Sequence, residues 1–245
     1  MLTNTYIHIP SIGYTTEKKI WESGISSWDS FDKDRLNMSE NRKRRLKHFV
    51  ELSIDALDKK DHSFFSYYLP KDEHWRALID FDKTAYLDIE TTGLDKERDD
   101  ITIIGVYDGH KVKTFIRGKE FNEFKEYIRS FPMIVTFNGS CFDLPFIENK
   151  LDMKFDQLHV DLRFAFNRLG INGGLKRIEK IFGLGRSQET EGMDGLDAVR
   201  LWHKYINGDD SALETLKRYN AEDVIGLKIL SMKAYDLLKK KTFIN

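Results

Sequence analysis

Two carboxylates lie two residues apart in the segment Thr84–Leu94, which reads TAYLDIETTGL. Apolar and polar residues alternate there, which is the pattern of a β-strand. Because side chains two apart on a strand point the same way, Asp88 and Glu90 converge, and their charges repel unless a cation neutralises them. A hard divalent cation bound through oxygen would do so. The alternative is a solvated face on which both acids are exposed.

A third acid follows a second apolar segment. Residues 133–137 predict a short buried strand. The sequence NGSCFDLP comes next, from Asn138 to Pro145, and predicts a glycine turn and a helix start that carries Asp143. Sites collect at such junctions in open α/β sheets. The alternative for Asp143 is an acid favoured by the dipole at a helix amino terminus.

A fourth acid lies in the last predicted helix, Ser211 to about Lys239. Tyr219 and Asp223 are four residues apart, so the phenol and the carboxylate share one helical face. A tyrosine packed beside an exposed aspartate would show the same spacing. The pair therefore depends on the other acids for its interpretation.

The elements around these residues predict an α/β domain. Residues 101–107 and 112–116 are expected to continue from the first strand as an antiparallel meander. Helical spacing follows over 119–131, a further strand over 155–160, and a short helix over 175–182 that opens with Lys176 and Arg177. At this helix start, contact with phosphate and plain solvation are both open.

Residues 1–80 predict a small, mainly helical accessory unit, and residues 81–245 the α/β domain that carries the four acids. The segment 9–25 resembles half of a helix-hairpin-helix, with Thr15 or Thr16 as helix cap; a plain helix-turn packed on the core is the alternative. Ser39–Asp61 predicts a helix whose first turns are basic. We name four of its side chains as candidate phosphate contacts, with a solvated charged face as the alternative: Arg42, Lys43, Arg44 and Arg45.

Composition restricts the classes of protein. The chain has 245 residues and a net charge of −1, which alone indicates no polyanion partner but does not exclude a metal-dependent site on nucleic acid. The single cysteine, Cys141, excludes an internal disulfide and a thiolate cluster, and we expect it to be a buried filler. No apolar run is long enough to span a bilayer and no signal sequence is evident. We therefore expect a cytoplasmic protein without membrane contact.

Taken together, the motifs resemble a known family. DxE on a first strand, NGxxFDxP at a strand-to-helix junction and YNxxDV on a late helix resemble the DEDD superfamily of 3′-to-5′ exonucleases, in its tyrosine branch. More narrowly, five segments resemble the YprB-type ribonuclease-H-like domain: LDIETTGL, NGSCFDLPFI, GGLKRIEKIFGL, DGLDAVRLWHKY and LKRYNAEDV. The similarity extends over about residues 84–238.

The resemblance implies a ribonuclease-H-like fold, a mixed five-stranded sheet flanked by helices. It also implies that four acids hold two Mg²⁺ or Mn²⁺ ions: Asp88 bridges both, Glu90 and Asp223 complete the coordination of the first ion, and Asp143 holds the second ion directly or through water. Tyr219 would orient the attacking water. The remaining predicted substrate contacts are Thr91, Asn138, Phe142, Lys176 and Arg177.

The implied function is metal-dependent 3′-to-5′ hydrolysis of single-stranded nucleic acid with a free 3′ end. DNA is the favoured substrate and RNA the alternative, in DNA repair or nucleic-acid processing, with a helicase as a further partner. Two other functions remain open. One is a nucleic-acid-binding scaffold without activity; the other is a phosphatase with Asp88 as nucleophile.

Overall fold

A five-stranded mixed sheet lies at the centre of the computed structural model, which describes residues 1–118 and 120–243. The strands are β1 (Thr84–Thr91), β2 (Ile101–Tyr107), β3 (Val112–Ile116), β4 (Met133–Thr136) and β5 (Leu158–Asp161), in the spatial order β3-β2-β1-β4-β5. β1 pairs antiparallel with β2, and β2 with β3, whereas β4 runs parallel to both β1 and β5. The predicted meander is confirmed.

Helices cover both faces of this sheet. They are α1 (Tyr14–Glu22), α2 (Glu40–Asp58), α3 (His62–Tyr68), α4 (Phe121–Ile128), α5 (Asp143–Leu151), α6 (Leu162–Arg168), α7 (Leu175–Ile181), α8 (Gly195–Ile206) and α9 (Asp210–Thr242). The alternation in β1 decides which face each residue joins. Ala85, Leu87 and Ile89 pack with α4 and α5, and Tyr86 packs with α9 on the opposite side. The predicted α/β architecture is confirmed.

Several predicted boundaries shift. The strand expected over 155–160 begins at Leu158, because the backbone N–H of Phe155 donates instead to Glu148 Oε1 at 3.2 Å. The last helix begins one residue earlier than Ser211, because Asp209 caps it by accepting from the Ser211 and Ala212 N–H groups. The helix expected over 119–131 spans Phe121–Ile128, and its predicted first residue, Lys119, lies outside the described residues.

The amino-terminal region packs into the main core. Tyr6, Leu46 and Phe65 belong to the same apolar cluster as Met133 and Val160 of the sheet. The helix α1 is capped by Gly13, not by Thr15 or Thr16, because the chain already turns at Ser11, whose φ is 73°. A division at residue 80 stays a prediction, and residues 244–245 of the predicted catalytic domain lie outside the described chain.

Buried ion pairs reinforce this packing. Arg76 is fully buried and donates to Glu17 of α1 at 2.8 Å and to Glu73 at 2.5 Å. Arg168 of α6 donates to the same Glu73 at 2.6 Å. Because a buried charge is costly without its partner, these bonds hold α1 against the elements around the sheet.

Two further expectations concern single features. Cys141 is exposed, so the prediction of a buried filler is wrong; the residue lies in the turn between β4 and α5, outside the packed helix face. Across the described residues, every helix is too short or too polar to cross a membrane.

Candidate active site

The four predicted acids and Tyr219 line one pocket at the end of the sheet. Asp88, Glu90 and Asp223 each offer a carboxylate oxygen, and these oxygens lie within 4.8 Å of one another. Asp143 faces the same pocket from the first residue of α5. The structure thus brings together residues from three separate elements.

The sheet explains why β1 and β4 deliver their residues to the same place. The two strands are parallel neighbours, so their carboxyl ends meet at one edge of the sheet. The register of β1 against β2 shifts between Glu90 and Thr91, an irregularity of pairing of the kind that redirects side chains next to sites. Asp143 Oδ1 accepts a hydrogen bond from the Ile89 N–H at 3.1 Å, which holds α5 against β1.

The turn before α5 is held by a residue whose role the sequence did not reveal. Asp161, at the end of β5, accepts from the N–H groups of Asn138 at 2.8 Å and Ser140 at 3.0 Å, and from the Ser140 hydroxyl. Asn138 itself adopts a left-handed backbone with φ of 67°. Because Asp161 stabilises this uncommon conformation, it fixes the turn that leads to Asp143.

A second unpredicted residue, Asn220, joins α9 to β1. Its amide Nδ2 donates to Asp88 Oδ2 at 2.9 Å, and the side chain is completely buried. The approach requires a glycine on β2, since a Cβ at Gly105 would lie 1.8 Å from Asn220 Oδ1. A glycine inside an otherwise apolar strand indicates a close approach, so Gly105 was the signal that could have revealed this contact.

Two positively charged side chains border the acids. Arg186 donates to Asp223 Oδ1 and to Glu179, and its guanidinium lies 5.5 Å from the centre of the Tyr219 ring. The ammonium of Lys176 lies 4.9 Å from the same ring centre. Its nitrogen is buried and has no hydrogen-bond partner among the described residues. Arg186 belongs to none of the three motifs, and nothing in its local sequence indicates its role.

The electrostatics of the pocket favour a bound cation. Burial, together with the charges of the neighbouring acids, raises the pKa of Asp88 and of Glu90 well above the usual range. Burial raises the pKa of Asp143 to about 7 and, against the opposing effect of Arg186, that of Asp223 to about 6. Burial also raises the pKa of the Tyr219 phenol, which therefore keeps its proton at neutral pH.

The four acids therefore fit a hard divalent cation. Each carboxylate supplies oxygen, the donor that Mg²⁺ and Mn²⁺ prefer. Positive charge in the pocket would offset the repulsion that raises the carboxylate pKa values. The number and identity of the ions remain predictions.

Of the predicted substrate contacts, one group lies in the pocket and the other does not. The pocket is lined by Thr91, Asn138, Phe142, Lys176 and Arg177. Asn138 also accepts a hydrogen bond from Arg163 at 2.6 Å through its side-chain oxygen. In contrast, the basic residues 42–45 lie on α2 and are absent from the described lining of this pocket.

Comparisons with known proteins identify the fold. The sequence model of the RNase_H superfamily matches residues 85–235. The family B DNA polymerase of the hyperthermophilic archaeon Pyrobaculum calidifontis is similar in structure, with a TM-score of 0.55 and 18% identity over 66% of this chain; the match spans 26% of the polymerase chain. Brucella melitensis NrnC bound to pGG aligns with a TM-score of 0.49 and 21% identity, over 64% of this chain and 74% of that one. No curated protein matches the sequence significantly.

Proposed function

Because this chain belongs to the RNase_H superfamily, we propose that it is a metal-dependent 3′-to-5′ exonuclease of single-stranded nucleic acid. Within the superfamily, we propose that it belongs to the tyrosine branch of the DEDD exonucleases, with a YprB-type domain. One observation carries the proposal: four acids and a tyrosine from β1, α5 and α9 line a single pocket. DNA is the favoured substrate and RNA the alternative.

In the proposed mechanism, Asp88, Glu90, Asp143 and Asp223 hold two Mg²⁺ or Mn²⁺ ions. Such ions activate a water and stabilise the leaving oxygen of an in-line displacement at phosphorus. Asn220 holds the Asp88 carboxylate from α9 through its bond at 2.9 Å. The Ile89 N–H holds Asp143 at 3.1 Å. Both acids thus keep their orientation before the substrate arrives.

Tyr219 acts as a positioning donor and acceptor in this scheme. Its raised pKa excludes phenolate as the base at neutral pH, whereas a neutral hydroxyl can hold the attacking water in line. Lys176 supplies the complementary charge for a phosphate oxygen, since its nitrogen lies beside the Tyr219 ring without a protein partner among the described residues. Thr91, Asn138, Phe142 and Arg177 contact the rest of the terminal nucleotides.

The direct test uses single-stranded DNA and RNA carrying a label at either the 5′ or the 3′ end. With 5′ label, 3′-to-5′ digestion in Mg²⁺ or Mn²⁺ yields a ladder of shortening products; with 3′ label, it releases mononucleotide at once. Chelation by EDTA should stop both. Asp143→Asn serves as the matched inactive chain. Hydrolysis of p-nitrophenyl phosphate tests the alternative function of a phosphatase. Survival of all four labelled substrates would overturn the proposal and favour the scaffold.

The basic turns of α2 carry a separate part of the proposal, phosphate contact outside the pocket. Arg42 and Arg44 are exposed; Arg42 donates to the Ser11 carbonyl oxygen at 3.3 Å, and Arg44 donates to the Asn41 side chain at 2.6 Å. Neutralising residues 42–45 together should flatten the dependence of DNA binding on salt, because fewer counterions are released. The control neutralises Lys59 and Lys60, which follow the other end of α2, and the change in salt slope is compared per charge removed. An equal change per charge in the two variants would remove residues 42–45 from the interface.

A partner helicase and a cytoplasmic location remain predictions that accompany this function. The helicase would supply single strands with a free 3′ end.

A further inference from the structure

Arg186 is an unusual neighbour for a group of acids that must bind cations. It lies in the loop after α7, and its side chain is only 9% exposed. Its Nη2 bridges two carboxylates: it donates to Asp223 Oδ1, and to Glu179 Oε1 at 2.9 Å and Oε2 at 2.8 Å. Its Nε adds a bond to Glu179 Oε2 at 2.9 Å. One oxygen of a candidate metal ligand is therefore already bound to protein.

Glu179, a residue of α7, anchors the arginine. This glutamate is 5% exposed, and both of its carboxylate oxygens accept from Arg186. The helix α9 leaves room for it at Gly226, where a Cβ would lie 3.0 Å from Glu179 Oε1. A bidentate pair of this kind fixes the guanidinium in position as well as in charge.

The chain after Arg186 is also attached to α9. Glu222, the residue before Asp223, accepts from the Ser187 N–H at 3.3 Å and from the Thr190 hydroxyl. Arg186 is thus held through its own side chain and through the residues that follow it. It has no freedom to leave Asp223 without breaking the Glu179 bonds.

We propose that Arg186 is a positioning residue that makes Asp223 a one-oxygen ligand and so sets the metal preference of the site. A carboxylate whose Oδ1 is occupied by a guanidinium presents only Oδ2 to an ion. Ca²⁺ takes six to eight oxygens and accepts bidentate carboxylates, whereas Mg²⁺ demands octahedral geometry and single oxygens. Blocking the second oxygen therefore disfavours Ca²⁺. The inference rests on the proposed function, in which Asp223 binds a divalent cation.

The test measures binding of Mn²⁺ alone and Ca²⁺ alone to the full chain by titration calorimetry, without nucleic acid. In Arg186→Met the preference for Mn²⁺ over Ca²⁺ should fall at least about tenfold, the scale of a lost partner of a metal ligand. Arg186→Lys should keep most of the preference, because an ammonium can still occupy Asp223 Oδ1. Since Arg186→Met leaves Glu179 buried and unpaired, the double variant Arg186→Met/Glu179→Gln provides a second chain without that unpaired charge.

Arg177→Met is the control for the loss of a positive charge alone. This substitution removes a positive charge from the same pocket but leaves the bond between Arg186 and Asp223 in place. It should change both affinities alike and leave their ratio unaltered. An unchanged ratio in folded Arg186→Met or in the double variant overturns the inference while leaving the nuclease proposal intact. A wild-type chain that binds neither cation overturns both.

Discussion

At the scale of single residues, the pocket concentrates negative charge that folding alone does not favour. Asp88 is the clearest case, because burial and the charges of Asp223, Asp143 and Glu90 all raise its pKa. Among the described residues, the Asn220 amide stabilises its carboxylate by donating a hydrogen bond. Such a group lowers the stability of the chain in exchange for a site that a cation completes.

Replacing this charge should therefore stabilise the metal-free protein. In Asp88→Asn the repulsion between this charge and the other acids disappears, while the amide oxygen can still accept from Asn220. The melting temperature in EDTA should therefore rise, by about 2–4 °C for each kcal/mol gained in the free energy of unfolding. Added Mn²⁺ should raise the melting temperature of the wild type, and it should raise that of the variant much less. Thermal unfolding with and without Mn²⁺ measures both effects. Asp82→Asn, at an exposed position, is the control; a lower melting temperature for Asp88→Asn in EDTA would contradict the argument.

Tyr219 allows a test of positioning apart from folding. Tyr219→Phe keeps the ring beside Lys176 and Arg186 but removes the hydroxyl. We expect unchanged stability and a rate of cleavage about 10- to 1000-fold lower. Single-turnover assays with saturating DNA would measure the rate. Equal rates would show that the water is positioned by another group.

At the scale of elements, the site depends on how closely α9 approaches the sheet. The helix crosses β2 at Gly105 and thereby brings Asn220 to Asp88 and Asp223 to the pocket. The register shift at Glu90 and Thr91 and the Asp161 turn position the ends of β1 and β4 in the same way. Asp88 and Asp143 are thus each oriented by an element other than their own.

Gly105→Ala should disturb this approach. A Cβ 1.8 Å from Asn220 Oδ1 forces the amide away from Asp88. We expect a loss of about 1–3 kcal/mol in the free energy of unfolding, the cost of overpacking, and a lower cleavage rate. Urea denaturation and the labelled-DNA assay measure these quantities. Gly13→Ala, where the added carbon meets no atom within 4 Å, should change little.

A second substitution that relieves the overlap with Asn220 distinguishes this steric conflict from a general defect in β2. Asn220→Ser shortens the side chain, so Gly105→Ala/Asn220→Ser should be more stable than Gly105→Ala alone. A double variant as unstable as the single one would show that the approach of α9 is not what Gly105 permits.

At the scale of the whole molecule, one long helix connects the pocket to the amino-terminal region. The helix α9 has 33 residues, a length of about 50 Å at 1.5 Å per residue. Tyr219 and Asp223 lie in its first half, and Tyr235 packs against Trp75 with ring centres 6.1 Å apart. Since residues 1–80 share the apolar core with the sheet, their packing contributes to the stability of the same helix that carries two site residues.

A buried histidine in this shared core gives a pH-dependent signature. Burial beside the charge of Arg76 lowers the pKa of His8 to about 3, so the folded chain excludes a proton that the unfolded chain binds below its usual pKa of 6.5. Stability from His8 is thus complete above pH 6.5 and is lost as the pH falls, by about 1.4 kcal/mol for each pH unit.

His8→Gln removes this proton linkage. Its deficit in unfolding free energy relative to wild type should be largest at pH 7 and should shrink by pH 5, as measured by urea denaturation. The acids of the pocket titrate alike in both chains and cancel in this difference. His48→Gln, at an exposed histidine, is the matched control. A deficit that is constant with pH would contradict the linkage.

The strands, the meander and the three acid motifs could be predicted from the sequence, because alternation in β1 and helical spacing in α9 are local properties of the chain. Other features were decided by tertiary structure. The bonds of Asn220 to Asp88, of Asp161 to the Asn138 turn and of Arg186 to Asp223 each join residues at least 23 positions apart. No local pattern records such pairs, since they arise only when the sheet and α9 pack together. The sequence therefore determined which acids are present, whereas the tertiary structure decided how each carboxylate is oriented and which of its oxygens remain free.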